Sequence, residues 1–121
     1  MLAALIVAST ASAQANNVNM YGVTIESCVV NQKDGLTNGI NVVYVNTQHL
    51  SPVTYVEFVV RYRGNIYVLK DWGTFSRTAE INHNINNALV GQQWTGPTPE
   101  ACAVHKVILQ SGVTEGPPPS Q

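Results

Sequence analysis

The segment Val53–Phe75, VTYVEFVVRYRGNIYVLKDWGTF, carries the longest regular pattern in the chain. Val56, Phe58, Val60 and Tyr62 alternate with Tyr55, Glu57, Val59, Arg61 and Arg63. Successive side chains of a strand point to opposite faces, so the first set can line a core while the second is mostly solvated. The density of Val, Tyr and Phe favours strand over helix, and no helical stripe fits as well. Arg63-Gly64-Asn65 supplies a turn, because Gly and Asn tolerate positive φ. Ile66–Lys70 returns as the partner strand, and Asp71-Trp72-Gly73 reads as the turn that ends it. Two strands alone are marginal in water. The apolar face of this hairpin therefore needs a second layer from the rest of the chain.

Outward from the hairpin, further strands are predicted at Val23–Val30, Gly39–Asn46, around Ala79–Ile85, and at Cys102–Gln110. Ile40, Val42 and Tyr44 share one face of the second of these. Asp34-Gly35 centres the turn between the first two, and Pro52 closes the connection that precedes the hairpin. Asn82–Asn87 is polar enough to read as loop. Asn87–Glu100, with two Gly and two Pro, is irregular. Six to seven short strands without an amphipathic helix predict an all-β antiparallel sandwich, in which each sheet buries one apolar face against the other.

The chain has 121 residues, room for one domain, and only 11% of them are charged, with a net charge of −1. Twelve Asn and seven Gln supply much of the polarity instead. There is no basic run, so a nucleic-acid partner is not expected. Residues 1–15, MLAALIVASTASAQA, join a short apolar run to overlapping A-x-A patterns and read as a signal peptide. No Lys or Arg precedes the run, which suggests a truncated start. The run is too short to span a bilayer, and no later segment is long enough, so no transmembrane segment is expected in the mature chain. Residues 16–22 read as a flexible leader, 23–112 as the sandwich, and 113–121, with three consecutive prolines, as a disordered tail. Periplasmic or extracellular export is the implied location.

Cys28 lies in the first predicted strand and Cys102 opens the last. Two cysteines in an exported chain pair as a rule, so a Cys28–Cys102 disulfide is predicted. Neither has a neighbouring ligand at zinc-site spacing. His105 follows Cys102 by three residues and would project from the opposite face, which argues against a catalytic thiol.

Chemistry is otherwise sparse. The acids Glu26, Asp34, Glu57, Asp71, Glu80, Glu100 and Glu115 are dispersed, as are His49, His83 and His105. None of the local ligand, nucleophile or phosphate-loop motifs occurs. No catalytic residue, metal or cofactor is expected. The aromatics are more informative. Tyr44, Phe58 and Tyr62 read as core, Trp72 and Phe75 as covering one end of it, and Trp94 as the more open ring. Exposed Trp and Tyr can stack on sugars or anchor a protein, so Trp72, Trp94 and Tyr67 are the candidate binding residues.

An ordered set of motifs carries a resemblance. After Cys28 come Val42-x-Tyr44-x-Asn46; Val56-x-Phe58-x-Val60-x-Tyr62; Asp71-x-Gly73-x-Phe75-Ser76; Ile81-x-His83; and Cys102-x-Val104-x-x-Val107. The set resembles a group of small exported bacterial proteins of unknown function that are predicted to be immunoglobulin-like sandwiches. It spans about residues 23–112. In that group an Asp-Gly and a Trp tend to follow the last strand, whereas this chain has Ser111-Gly112 and no later Trp. The resemblance implies an immunoglobulin-like fold with its disulfide and carries no catalytic residue. The expected role is a non-enzymatic structural or interaction module with a protein or glycan partner. The alternatives are a carbohydrate-binding module, or a pilus or adhesin-type subunit, for which the Pro-rich tail is a poor donor strand.

Overall fold

The computed structural model describes residues 18–117, which form eight strands and no helix. In chain order these are β1 (Val18–Met20), β2 (Val23–Lys33), β3 (Leu36–Asn46), β4 (Val53–Tyr62), β5 (Asn65–Phe75), β6 (Glu80–Gln93), β7 (Ala101–Leu109) and β8 (Thr114–Glu115). They make two four-stranded antiparallel sheets, β1-β2-β3-β6 and β5-β4-β7-β8, packed as a sandwich. Among the described residues no helix is long and apolar enough to cross a membrane.

The hairpin forms as its alternation predicts. Val56, Phe58, Val60 and Tyr62 are buried, and Tyr62 pairs with Asn65 across Arg63-Gly64. Both turn residues have positive φ, 52° and 79°, the geometry whose twist matches a hairpin. Asp34-Gly35 makes the same turn between β2 and β3.

Other boundaries differ from expectation. β5 does not stop at Lys70 but runs to Phe75, so Asp71-Trp72-Gly73 is strand. β6 extends through the Asn-rich segment to Gln93. Amide-to-amide bonds explain how so polar a segment stays in a sheet: Asn41 Nδ2 donates to Asn82 Oδ1 (2.8 Å), and Asn31 Nδ2 to Asn84 Oδ1 (2.5 Å). Leu89 and Ile85 face the core from the same strand. Of the expected leader, Val18–Met20 instead pairs with β2. Asn19 Nδ2 fixes it there, donating to Thr24 Oγ1 and Thr47 Oγ1. In the expected tail, Thr114–Glu115 pairs with β7. Residues 1–15, expected to be a signal peptide, and residues 118–121 lie outside the described residues.

The core fills the space between the sheets. Val23, Ile25, Cys28, Val30, Ile40, Val42 and Tyr44 meet Val53, Val56, Phe58, Val60, Leu69, Val104 and Val107. Each full burial of such a side chain contributes about 1.5–3 kcal/mol. In β2 the register shifts at Glu26. This bulge lets Ile25 and Cys28, three positions apart, both face inward. Cys28 there bonds Cys102 of the opposite sheet, with Cα atoms 6.6 Å apart. The disulfide marks an oxidising, non-cytoplasmic setting.

Candidate functional site

Two constellations collect the chemistry-bearing side chains, one between the sheets and one on an outer face. The first is built by β3, β5 and β6. Asp71 is buried from β5, and its Oδ2 accepts from the Tyr44 hydroxyl (2.5 Å) and lies 2.6 Å from His83 Nδ1. Tyr44 and His83 come from the first sheet and Asp71 from the second, so the bonds cross the sandwich. Phe75 packs edge-on against both partners, with centroids 5.7 Å from Tyr44 and 6.2 Å from His83. A Cβ at Gly73 would overlap the Phe75 ring. Asn46, also buried, donates to the carbonyls of Phe75 and His49 and accepts from His49 N–H. Burial and the Asp71 contact both push the Tyr44 hydroxyl pKa well above the ordinary phenol range.

A carboxylate on an imidazole is the arrangement that orients a histidine for proton transfer. Here no hydroxyl or thiol among the described residues is hydrogen-bonded to that imidazole, and both cysteines are in the disulfide. What the group does is satisfy a buried carboxylate while tying sheet to sheet.

The second constellation lies on the outer face of the β5-β4-β7 sheet. Its rows follow from the register: Trp72–Tyr55–Ile108, then Lys70–Glu57–Lys106, then Val68–Val59–Ala103, then Ile66–Arg61–Ala101. Trp72 is 68% exposed and lies over Tyr55, with ring centroids 4.2 Å apart. Tyr55, beneath it, is 4% exposed and donates to Glu57 Oε1 at 2.5 Å. Desolvation, with the Glu57 contact second, raises the Tyr55 pKa. A register shift in β7 brings His105 onto the same face, 3.8 Å from Glu57 Oε2. Ile66 and Val68 add exposed apolar surface.

The three candidate binding aromatics are not brought together. Trp72 stands on the outer face and does not cover the core; Phe75 alone of that pair is buried. Tyr67, opposite Val60, turns inward and packs on the core. Trp94, expected to be the more open ring, also packs on the core and donates its Nε1–H to the Val30 carbonyl. The segment after it closes that end of the sandwich, with Tyr62 Oη accepting from Thr95 N–H and donating to the Gly96 carbonyl. Strand parity is the reason for the orientation of Trp72. Once β5 continues through Asp71-Trp72-Gly73, odd positions face in and Trp72 must face out.

The dispersed histidines each meet a carboxylate from another strand or loop: His49 with Glu115 (3.6 Å), His83 with Asp71 and His105 with Glu57. Among the described residues no cluster of three or more His, Cys, Asp or Glu could hold a metal. The acids also form one unpredicted pair. Glu26 and Glu80 share the outer face of the first sheet, and the hydrogen bond between them raises the Glu26 pKa. No family model matches the chain, and no curated protein or solved structure matches it.

Proposed function

We propose that the chain is a non-enzymatic, exported β-sandwich module that binds a partner through the outer face of the β5-β4-β7 sheet. The observation that carries this reading is Trp72, 68% exposed on the edge strand β5 and lying over a buried Tyr55 of the neighbouring strand. A large ring held rigidly in water costs little entropy to engage and is the kind of residue that dominates contact surfaces. The immunoglobulin-like reading of the sandwich is supported by the strand order. β2-β3-β6 faces β4-β7-β8 as the A-B-E and C-F-G strands face each other in such domains, with β5 added beside β4. The bridge here joins β2 to β7, the first of those strands to the sixth, and not the second to the sixth. The resemblance to small exported bacterial sandwiches and the oxidised cysteines support export.

A carbohydrate-binding role is the form of this reading that the exposed Trp72 ring, tilted against Tyr55, favours. The test is a printed array of glycans and peptides probed with the wild-type domain and with Trp72→Ala. Capture by the wild type that Trp72→Ala loses is the expected result. Equal capture by both proteins would remove the face from the mechanism. Turnover of a chromogenic ester or glycoside that depends on His83 would overturn the non-enzymatic reading.

A further inference from the structure

Charge is sorted by face in this molecule. The chain holds six Lys and Arg in all. Three of them, Arg61, Lys70 and Lys106, stand on the outer face of the β5-β4-β7 sheet by register. The acid on that face, Glu57, is occupied by the Tyr55 hydroxyl and His105, and its side chain is 15% exposed. Among the described residues none of the three cations makes an ion pair; the pairs present all involve histidine. The opposite outer face carries Glu26 and Glu80 beside an array of Asn, Ser and Thr, including Asn41, Asn82 and Thr24. A protein with a net charge of −1 thus presents unpaired positive charge around its one fully displayed indole.

From this we propose that the ligand of the Trp72 face is an acidic polysaccharide, a chain of carboxylate-bearing sugars. The inference rests on the binding-face reading above and adds the ligand's charge to it. Lys70 is two residues from Trp72 on the same face of β5, about 7 Å along the strand. Lys106 lies two strand spacings across from Lys70, about 10 Å. A pyranose ring stacked on the indole therefore places the carboxylates of its neighbours within reach of one or both lysines. The ring supplies the apolar contact and the lysines select the charge. A nucleic acid fits less well. It would ask for a denser cation track than three residues, together with several stacking rings, and Trp72 is the exposed one.

The experiment is a Trp-fluorescence titration of the whole domain with polygalacturonate, with the same polymer after full methyl esterification, and with oligo-dT. Each is run at low and high salt. The expected result is binding to polygalacturonate about tenfold tighter than to its ester, with the difference erased by salt or by Lys70→Gln with Lys106→Gln. Trp72→Ala, which lacks the reporting indole and is followed by calorimetric titration, binds neither polymer, while its urea midpoint stays near that of the wild type. Equal affinity for the acid and its ester would overturn the charge assignment and leave the binding face standing. Binding to neither polymer would overturn the ligand class. Tighter binding to oligo-dT would assign the face to nucleic acid and overturn the proposal. Self-association at low salt, seen by sedimentation and removed by Glu26→Gln with Glu80→Gln, would overturn it in favour of stacking of one copy's acidic face on another's basic face.

Discussion

Tyr44 and Asp71 are expected to be energetically coupled, and the coupling can be measured by a double-mutant cycle. Asp71→Leu leaves the Tyr44 hydroxyl buried without its acceptor, a desolvation cost of about 1–3 kcal/mol. The same change frees His83, but that side chain is 46% exposed and can turn to water. Tyr44→Phe takes a donor from a buried carboxylate, and hydrogen bonds to charged groups contribute about 1.5–3 kcal/mol. In the double variant neither partner remains to be left unsatisfied, so its cost should be no greater than that of Asp71→Leu alone, which makes the cost of Tyr44→Phe the lower bound of the coupling. The predicted coupling is about 1.5–3 kcal/mol, read from urea midpoints of the oxidised protein at constant m. In a domain of this size each kcal/mol corresponds to about 4–8 °C in Tm. Additivity within about 0.5 kcal/mol would refute the claim that this bond joins the sheets.

Three further outcomes follow from the same structure. Replacing both cysteines by Ala should cost about 4–4.5 kcal/mol in urea unfolding, because a separation of 74 residues is closed by the bridge; a loss below about 1 kcal/mol would contradict that origin. In alkali, Tyr44 should resist ionisation after unfolded tyrosine has lost its proton, because its folded pKa is raised. Stability should then fall as pH rises above about 10, by about 1.4 kcal/mol per pH unit for this group, and spectrophotometric titration should show a late-ionising tyrosine. Glu26→Gln should raise Tm at pH 7, where the raised pKa of Glu26 reports an unfavourable ionised pair, and the gain should vanish as pH falls through that pKa; an equal gain at pH 3 and pH 7 would contradict the assignment.

The motif set Tyr44, Asn46, Asp71, Gly73, Phe75 and His83 was visible in the sequence as an ordered pattern, but its meaning was not. In the fold these residues meet: Tyr44 and His83 hold Asp71, Phe75 packs on both rings, Gly73 leaves space for Phe75, and Asn46 holds its carbonyl. Residues up to 39 positions apart are joined by sheet pairing, which local spacing does not encode. The body of the hairpin was legible because alternation is a local property. Cys28 was harder, because the Glu26 bulge changes which face it occupies. β6 was obscured by its asparagines, which pair across strands where their low intrinsic strand preference predicts loop. Trp72 was misplaced because β5 continues through Asp71-Trp72-Gly73, and Trp94 because its packing on the core and its bond to the Val30 carbonyl are long-range contacts. The candidate face was thus legible only as a Trp in the right region, while its Tyr55 support and the placing of its lysines around Trp72 depend on register.

The Cys28–Cys102 bridge also determines how the molecule carries tension. A pull on the two ends of the chain reaches Cys28 from one side and Cys102 from the other, and between them the shortest path is a covalent bond. The hairpin, with Trp72, Tyr55 and Lys70, and the Tyr44–Asp71–His83 group lie inside the loop that this bond closes, whereas β7 beyond Cys102, with Lys106, lies outside it. Stretching can peel β1, β8, the start of β2 and β7 beyond Cys102, but it cannot draw out the β4-β5 hairpin that bears Trp72, Tyr55 and Lys70. A pull at either end therefore leaves Trp72 and its Tyr55 support in place even where β7 gives way.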